Sequence, residues 1–320
     1  MRLSFYCVLE VCIEDPDEPK DPETPHFIPA YSQKVKASKE FQTFQFDHSF
    51  VLNSLKSSME GYVFHNQPLD TDDLLEQTVK LFNSCKTSLE LFDMLHNMRA
   101  YDDSTYAHSL NVALICRRIG KWLKVDAATL DTLTLCGLLH DIGKLKIPDE
   151  ILNKPGKYTD EEFDLVKRHT KFGYELLKTL NIDPHIKKAA LLHHERCDGS
   201  GYPLKATQKD LDNFSMVVAI ADVYDAMTAA RSYRAPLCPF QVIERFEQEG
   251  LQKYKPKFIL TFLQHIASTY QNNRVLLSNG QSANIVMLNQ QHLARPIVQL
   301  NDNSCIDLST RLDLHIQSIL

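Results

Sequence analysis

No apolar run in this 320-residue chain approaches the roughly 20 residues that a membrane span requires. The opening MRLSFYCVLEVC has one Arg and a short apolar patch, but Glu10 interrupts it and no small-residue cleavage site follows. It reads as a strand and not as a secretory leader. The eight cysteines form no CxxC pair and several lie in apolar periodic runs, the thiol usage of a reducing cytoplasm, where free Cys acts as a small buried hydrophobe. An excess of basic charge is also missing: 35 Lys and Arg against 41 Asp and Glu give a net charge of −6. That argues against duplex DNA or RNA as partner, while a local basic patch suffices for a small anionic ligand. What remains is an ordinary globular composition, 43% hydrophobic and 24% charged. Such a chain forms one large or two smaller domains without disulfide help.

Residues 1 to about 70 pass from the strand-like opening into EDPDEPKDPETPHFIPA. This segment is rich in Pro and acids and lacks helical period, the composition of a surface loop or linker. From Thr71 the pattern changes. TDDLLEQTVKLFNSCKTSLELFDMLHNM spaces its apolar residues by three and four behind a Thr-Asp-Asp start, as a capped helix does. Further helices are predicted over about 105–123, 127–142, 159–180, 184–196, 212–229, 239–249 and 256–271, with breakers at Pro148, Pro155-Gly156 and Gly199 to Pro203. After about residue 273 short alternating runs punctuated by Asn-Gly and Asn-Asp predict a small β-meander. The expected fold is mostly α. A helical domain over 71–272 follows an N-terminal β or irregular segment (1–70) and precedes a small β-rich extension (273–320).

Two carboxylates stand out because they lie in apolar surroundings, where an ionised acid is costly unless paired or bound to metal. They are Asp141 in LTLCGLLHDIGKL and Asp222 in VVAIADVYDAM. His140 precedes Asp141, and His108, His169, His193 and His194 occur near the ends of other predicted helices. Five imidazoles and two carboxylates with no thiolate suit iron, manganese, cobalt, nickel or zinc. Seven ligands exceed the need of one tetrahedral ion, so two ions bridged by Asp141 are the economical reading. A pair about 3.5–4 Å apart is the usual equipment for in-line phosphoester displacement. His96, His185, His265 and His292 are read as solvated or satisfied core residues without a site role.

The stretches HDIGKLKIPDEILNKPGKYT (140–159), KRHTKFG (167–173), HHERCDGSGYP (193–203) and IADVYDAMTAARSYR (220–234) together resemble the HD-GYP subgroup of the HD-domain metal-dependent phosphohydrolases, strongly over about residues 100–272. The resemblance implies an HD-type helical bundle that holds two divalent transition metal ions, iron or manganese first, with zinc, cobalt and nickel as alternatives. It places His108, His140, Asp141, His169, His193, His194 and Asp222 on the family's ligand positions, with Asp141 as the bridge. It places Lys144 against the scissile phosphate, where the lysine neutralises developing charge. Arg231 and Arg234, at i and i+3, would grip a second phosphate. Gly201, Tyr202 and Pro203 would shape the mouth of the cavity and line the substrate site or recruit a partner. Where some members hold a third ion partly through an acid four residues before the first ligand histidine, this chain has Ser104, with Asp102 and Asp103 close by. Ala230 stands where many members have an acid.

The implied activity is hydrolysis of cyclic di-GMP to pGpG or GMP in bacterial cytoplasmic signalling. A metal-bridging hydroxide attacks the phosphorus and a ribose 3′ oxygen leaves. Cyclic GMP-AMP is the alternative substrate within that class. A different class of function is an adaptor that binds a diguanylate cyclase through the GYP loop with little turnover. The N-terminal 70 residues, which match nothing in the family, are expected to be regulatory.

Overall fold

A computed structural model describes residues 30–98, 104–154, 156–229 and 237–320. Among the described residues thirteen α-helices precede a sheet. They are α1 (Ala30–Ala37), α2 (Lys39–His65), α3 (Thr71–Ser84), α4 (Ser88–Met98), α5 (Thr105–Trp122), α6 (Ala127–Leu139), α7 (Asp149–Leu152), α8 (Asp160–Lys167), α9 (His169–Leu177), α10 (Pro184–Leu192), α11 (Asn213–Thr228), α12 (Pro239–Glu249) and α13 (Pro256–Thr269). A short 3-10 turn, Ile142–Lys146, links α6 to α7. Among the described residues no helix is long and apolar enough to cross a membrane.

The centre of the bundle is made by α5, α6, α10 and α11. Helix α5 buries an almost unbroken face from Ala107 to Gly120, and α11 buries every residue from Ser215 to Thr228. Such all-round burial explains why both sequences read as nearly continuous apolar runs. Asp and Ser caps set the starts: Ser104 accepts the Ala107 N–H, Asp126 that of Thr129 and Asp212 that of Phe214. Each cap satisfies an N–H that the first helical turn leaves without an internal partner.

Three expectations change. The segment before Thr71 is helical from Ala30 to His65, not irregular. Helix α2 starts at the Ser38 cap and ends at Asn66, whose left-handed φ of 53° stops it; its Phe41, Phe44, Val51, Leu52, Leu55 and Met59 are buried in the main core. The strand expected over residues 1–12 lies outside the described residues. The single helix expected over 159–180 is two, because the chain turns at Arg168 and starts again at His169. Helix α10 stops at Leu192, so the histidine pair follows the helix, with His193 as its C-cap residue.

The β-rich tail is a five-stranded antiparallel sheet in the order β4-β3-β2-β1-β5. Its strands are β1 (Arg274–Leu277), β2 (Ser282–Met287), β3 (Ile297–Leu300), β4 (Cys305–Asp307) and β5 (Ile316–Ile319). The first four form the expected meander, and β5 returns to pair with β1. Val275, Leu277, Ile285 and Val298 are fully buried and belong to the same apolar cluster as the helices.

Candidate metal centre

Seven side chains from separate parts of the chain meet in one buried cluster. His108 comes from the first turn of α5, His140 and Asp141 from the break between α6 and the 3-10 turn, and His169 from the start of α9. His193 and His194 come from the end of α10, and Asp222 from the middle of α11. The seven residues predicted as ligands are therefore all brought together, and none is more than 7% exposed. They divide into two groups of mutually close donor atoms: Asp141 with His169, His193 and His194, and His108 with His140 and Asp222.

Asp141 stands between the groups. Its Oδ1 is 3.3 Å from His169 Nε2 and 3.6 Å from His193 Nε2, while its Oδ2 is 3.3 Å from His140 Nε2 and 3.6 Å from His108 Nε2. Lys144, one turn along the 3-10 segment, puts Nζ 2.6 Å from Oδ2. Burial opposes the charge on Asp141, but His140 and Lys144 outweigh it and hold the carboxyl well below the usual range.

Three rings are aimed by helix ends. His140 Nδ1 donates to Gly137 O at 2.7 Å, His169 Nδ1 to Val166 O at 2.7 Å and His193 Nδ1 to Ala189 O at 2.9 Å. These bonds place the proton on Nδ1 and leave the Nε2 lone pairs facing the cluster. Burial keeps three of the imidazoles neutral: His169 is pushed down to about 3, and His193 and His194 are lowered as well. His169 Nε2 and His193 Nε2 consequently face each other as two acceptors at 3.3 Å. Apart from the Lys144 ammonium at Asp141 Oδ2, His140 Nε2, the Asp141 carboxylate and Asp222 Oδ2 are buried without a hydrogen-bond donor. Converging lone pairs that outnumber the donors among them are what a cation would satisfy, and the N and O donor set fits a divalent transition metal.

His108 is held differently. Its Nε2 is 3.0 Å from Asp222 Oδ1, and its Nδ1 is 2.8 Å from Asp225 Oδ2. Although burial lowers its pKa, the two carboxylates raise it to about 9. Asp225 was not among the predicted site residues. Its position three residues after Asp222, on the same helix face, was the available signal. It forms the carboxylate–histidine pair that commonly orients a metal-bound imidazole.

The GYP loop lies beside His194. Gly201 is buried, and Tyr202 and Pro203 are partly so. Ser104, on the position of a third-ion acid in some relatives, caps α5 instead. Arg231, Arg234 and Ala230, with Asp102 and Asp103, lie outside the described residues. Of the histidines assigned no role, His185 pairs with Asp212 at 2.7 Å and His265 stacks on Trp122.

The chain is a helical domain with two donor groups that could each hold a metal ion, and the comparisons place it further. The HD domain family model matches residues 73–258, more than half of the chain. A cyclic di-GMP phosphodiesterase of Pseudomonas aeruginosa is 33% identical over 207 residues, covering 64% of this chain and 50% of that protein. One from Thermotoga maritima is 35% identical over 178 residues, 55% of this chain and 48% of that protein. A 3′3′-cGAMP-specific phosphodiesterase of Vibrio cholerae is 34% identical over 183 residues, 56% of this chain and 35% of that protein. The chain thus spans half or less of the length of these relatives. Among solved structures, an HD-GYP-type protein of Bdellovibrio bacteriovorus has the same fold, with a TM-score of 0.57 at 19% identity over 74% of this chain and 78% of that one. The chain belongs to the HD domain family, in its HD-GYP subgroup.

Proposed function

We propose that the chain is a metal-dependent phosphodiesterase that hydrolyses cyclic di-GMP, with cyclic GMP-AMP as the second candidate substrate. The observation that carries this reading is Asp141, whose two oxygens face two separate donor groups. Such a carboxylate is built to bridge two cations. His169, His193, His194 and Asp141 would hold one ion, and His108, His140, Asp222 and Asp141 the other, with iron or manganese as the favoured pair. Two bound divalent ions would supply Lewis acidity and an activated water for attack on phosphorus.

The residues of the chain do the rest. The Nδ1 bonds to Gly137, Val166 and Ala189 fix the imidazole planes before substrate arrives. The ammonium of Lys144, 6% exposed, places a fixed positive charge at the carboxylate bridge, where it offsets negative charge that develops on the phosphoryl oxygens. Arg231, Arg234 and the Gly201-Tyr202-Pro203 loop are the proposed contacts to the remainder of the dinucleotide. The relatives named for both cyclic di-GMP and cyclic GMP-AMP support the substrate class and leave both bases in play. The alternative, an adaptor that engages a diguanylate cyclase through the GYP loop, has a weaker basis, because an intact set of seven buried ligands has no use in it.

The test is product analysis by chromatography after anaerobic incubation with each dinucleotide and iron or manganese. Cleavage is expected, and should vanish in Asp141→Ala. Lys144→Met should retain both metals and lose on the order of 10²–10³ in kcat. Two bound metals with neither dinucleotide cleaved would reject the reading in favour of the adaptor or of a substrate outside this class.

A further inference from the structure

His194 sits among other rings of the site. The rings of His140, His169 and His193 donate to carbonyls in the last turns of α6, α8 and α10, and His108 is braced by Asp225; His194 Nδ1 is 3.7 Å from Asp222 Oδ2. Its ring is flanked by aromatic surface. Tyr202 stacks on it with centroids 4.7 Å apart and planes 29° apart, and His193 lies on it at 4.1 Å. Phe163 from α8 meets the Tyr202 ring edge-on at 6.4 Å, so the tyrosine is itself packed from behind.

The loop that carries Tyr202 is fastened to the histidine pair at three points. Tyr202 N donates to His194 O at 3.3 Å. The carboxylate of Glu195, the residue after the pair, is 2% exposed. It accepts the backbone N–H of Leu204 at 2.6 Å and of Ala206 at 3.0 Å. At Gly201 the loop lies so close to the 194–196 backbone that a Cβ would fall 2.4 Å from Glu195 Cα and 2.5 Å from His194 O, which leaves glycine as the residue that fits. A buried carboxylate, a missing side chain and a ring stack thus all fix one distance, that between the loop and the His194 imidazole.

We propose that the 195–206 loop supports the metal group of Asp141, His169, His193 and His194, with Tyr202 as a positioning residue that sets the plane of the His194 imidazole and Glu195 as the latch that holds Tyr202 in place. This gives the loop a task separate from contact with substrate or partner, and it rests on the two-metal reading of the site. A metal ion is held only if its ligands are oriented, and loss of an orienting outer contact commonly costs 10–100-fold in affinity. The cost should fall on the ion shared by Asp141, His169, His193 and His194, because the His108 group has its own brace in Asp225.

The experiment loads the full chain with manganese(II) and titrates it with a chelator, counting bound metal by elemental analysis and recording the electron paramagnetic resonance spectrum at each step. Wild type and Tyr202→Phe, which keeps the ring, should hold a magnetically coupled pair. Tyr202→Leu should release one ion at roughly 10–100-fold lower chelator concentration and keep the other as an isolated, uncoupled ion. Retention of that ion reports that the bundle is folded. Glu195→Gln, which leaves one of the two N–H contacts without a good acceptor, should show a smaller shift confined to the same ion. Both variants keeping the pair with wild-type resistance, or both losing the two ions together, would overturn the proposal. A wild type that never holds a coupled pair would overturn the two-metal reading itself.

Discussion

Five imidazoles share one cluster, yet they hold protons differently, and the difference is set by what each ring touches. His169, His193 and His194 are lowered by burial, whereas His108 is raised to about 9 by Asp222 and Asp225. An unfolded histidine titrates at roughly 6.5. Below that pH the unfolded metal-free chain takes up protons that the three buried rings refuse, so stability falls as pH drops. His108 acts in the opposite sense. Its contribution is complete below roughly pH 6.5 and is lost as pH rises through about 9. The metal-free protein should therefore melt at its highest temperature near neutrality and less well on both sides, read by thermal melts in chelator between about pH 5 and 10. Asp225→Asn should flatten the alkaline limb and leave the acid limb in place. An alkaline limb unchanged by that substitution would remove Asp225 from the account. The same proton on His108 must leave before a cation binds there, so metal uptake by this group should strengthen toward alkaline pH.

The seven residues that meet in the site were legible in the sequence, Asp141 and Asp222 as carboxylates in apolar text and the histidines through the motifs that carry them, while the devices that aim them were not. Asp225 braces a histidine 117 positions away, and Tyr202 finds His194 only because the loop folds back, contacts that no local period encodes. Element boundaries were missed for a related reason. The break at Arg168 has no Gly or Pro to mark it, and α2 carries Phe46, Phe50 and Phe64 on its exposed side, which blurs its helical stripe. The 3-10 turn after α6 is an element whose position, more than its sequence, decides function. Gly143 within it would place a Cβ 2.0 Å from His169 O and 2.4 Å from Gly173 N, so the turn touches α9 backbone to backbone. This close approach brings Asp141 against His169. Gly143→Ala must push the turn off α9, and backbone cannot yield as a flexible side chain does. The expected outcome is about 1–3 kcal/mol of lost stability or more, together with release of the metal shared by Asp141 and His169. Denaturant melts and metal analysis would measure both, and a variant that kept wild-type metal content would show that the contact is not needed for the bridge.

At the scale of the whole molecule, one apolar cluster runs from α2 through the bundle to the sheet, and the centre lies inside it. The expected division into 1–70, 71–272 and 273–320 therefore becomes a question of whether the pieces are stable apart. Helix α2 is the sharpest case, because its Phe41, Leu55 and Met59 are at most 1% exposed and the Tyr62 hydroxyl donates to Leu176 O at 2.5 Å, at the end of α9. Its Glu60 also accepts from the Tyr106 hydroxyl at 2.9 Å, two residues before His108. A fully buried side chain of this size contributes about 1.5–3 kcal/mol, so the loss of Phe41, Phe44, Val51, Leu52, Leu55 and Met59 together is of the same order as the roughly 5–15 kcal/mol that separates a folded domain from its unfolded state. A chain that starts at Thr71 should accordingly be aggregation-prone or lack a cooperative thermal transition, and bind little metal. Were α2 a separable regulatory attachment, the same truncation would melt like the full chain and keep its metals, with only turnover altered. Melting and metal content of the truncated chain, measured side by side with the 320-residue chain, distinguish these outcomes.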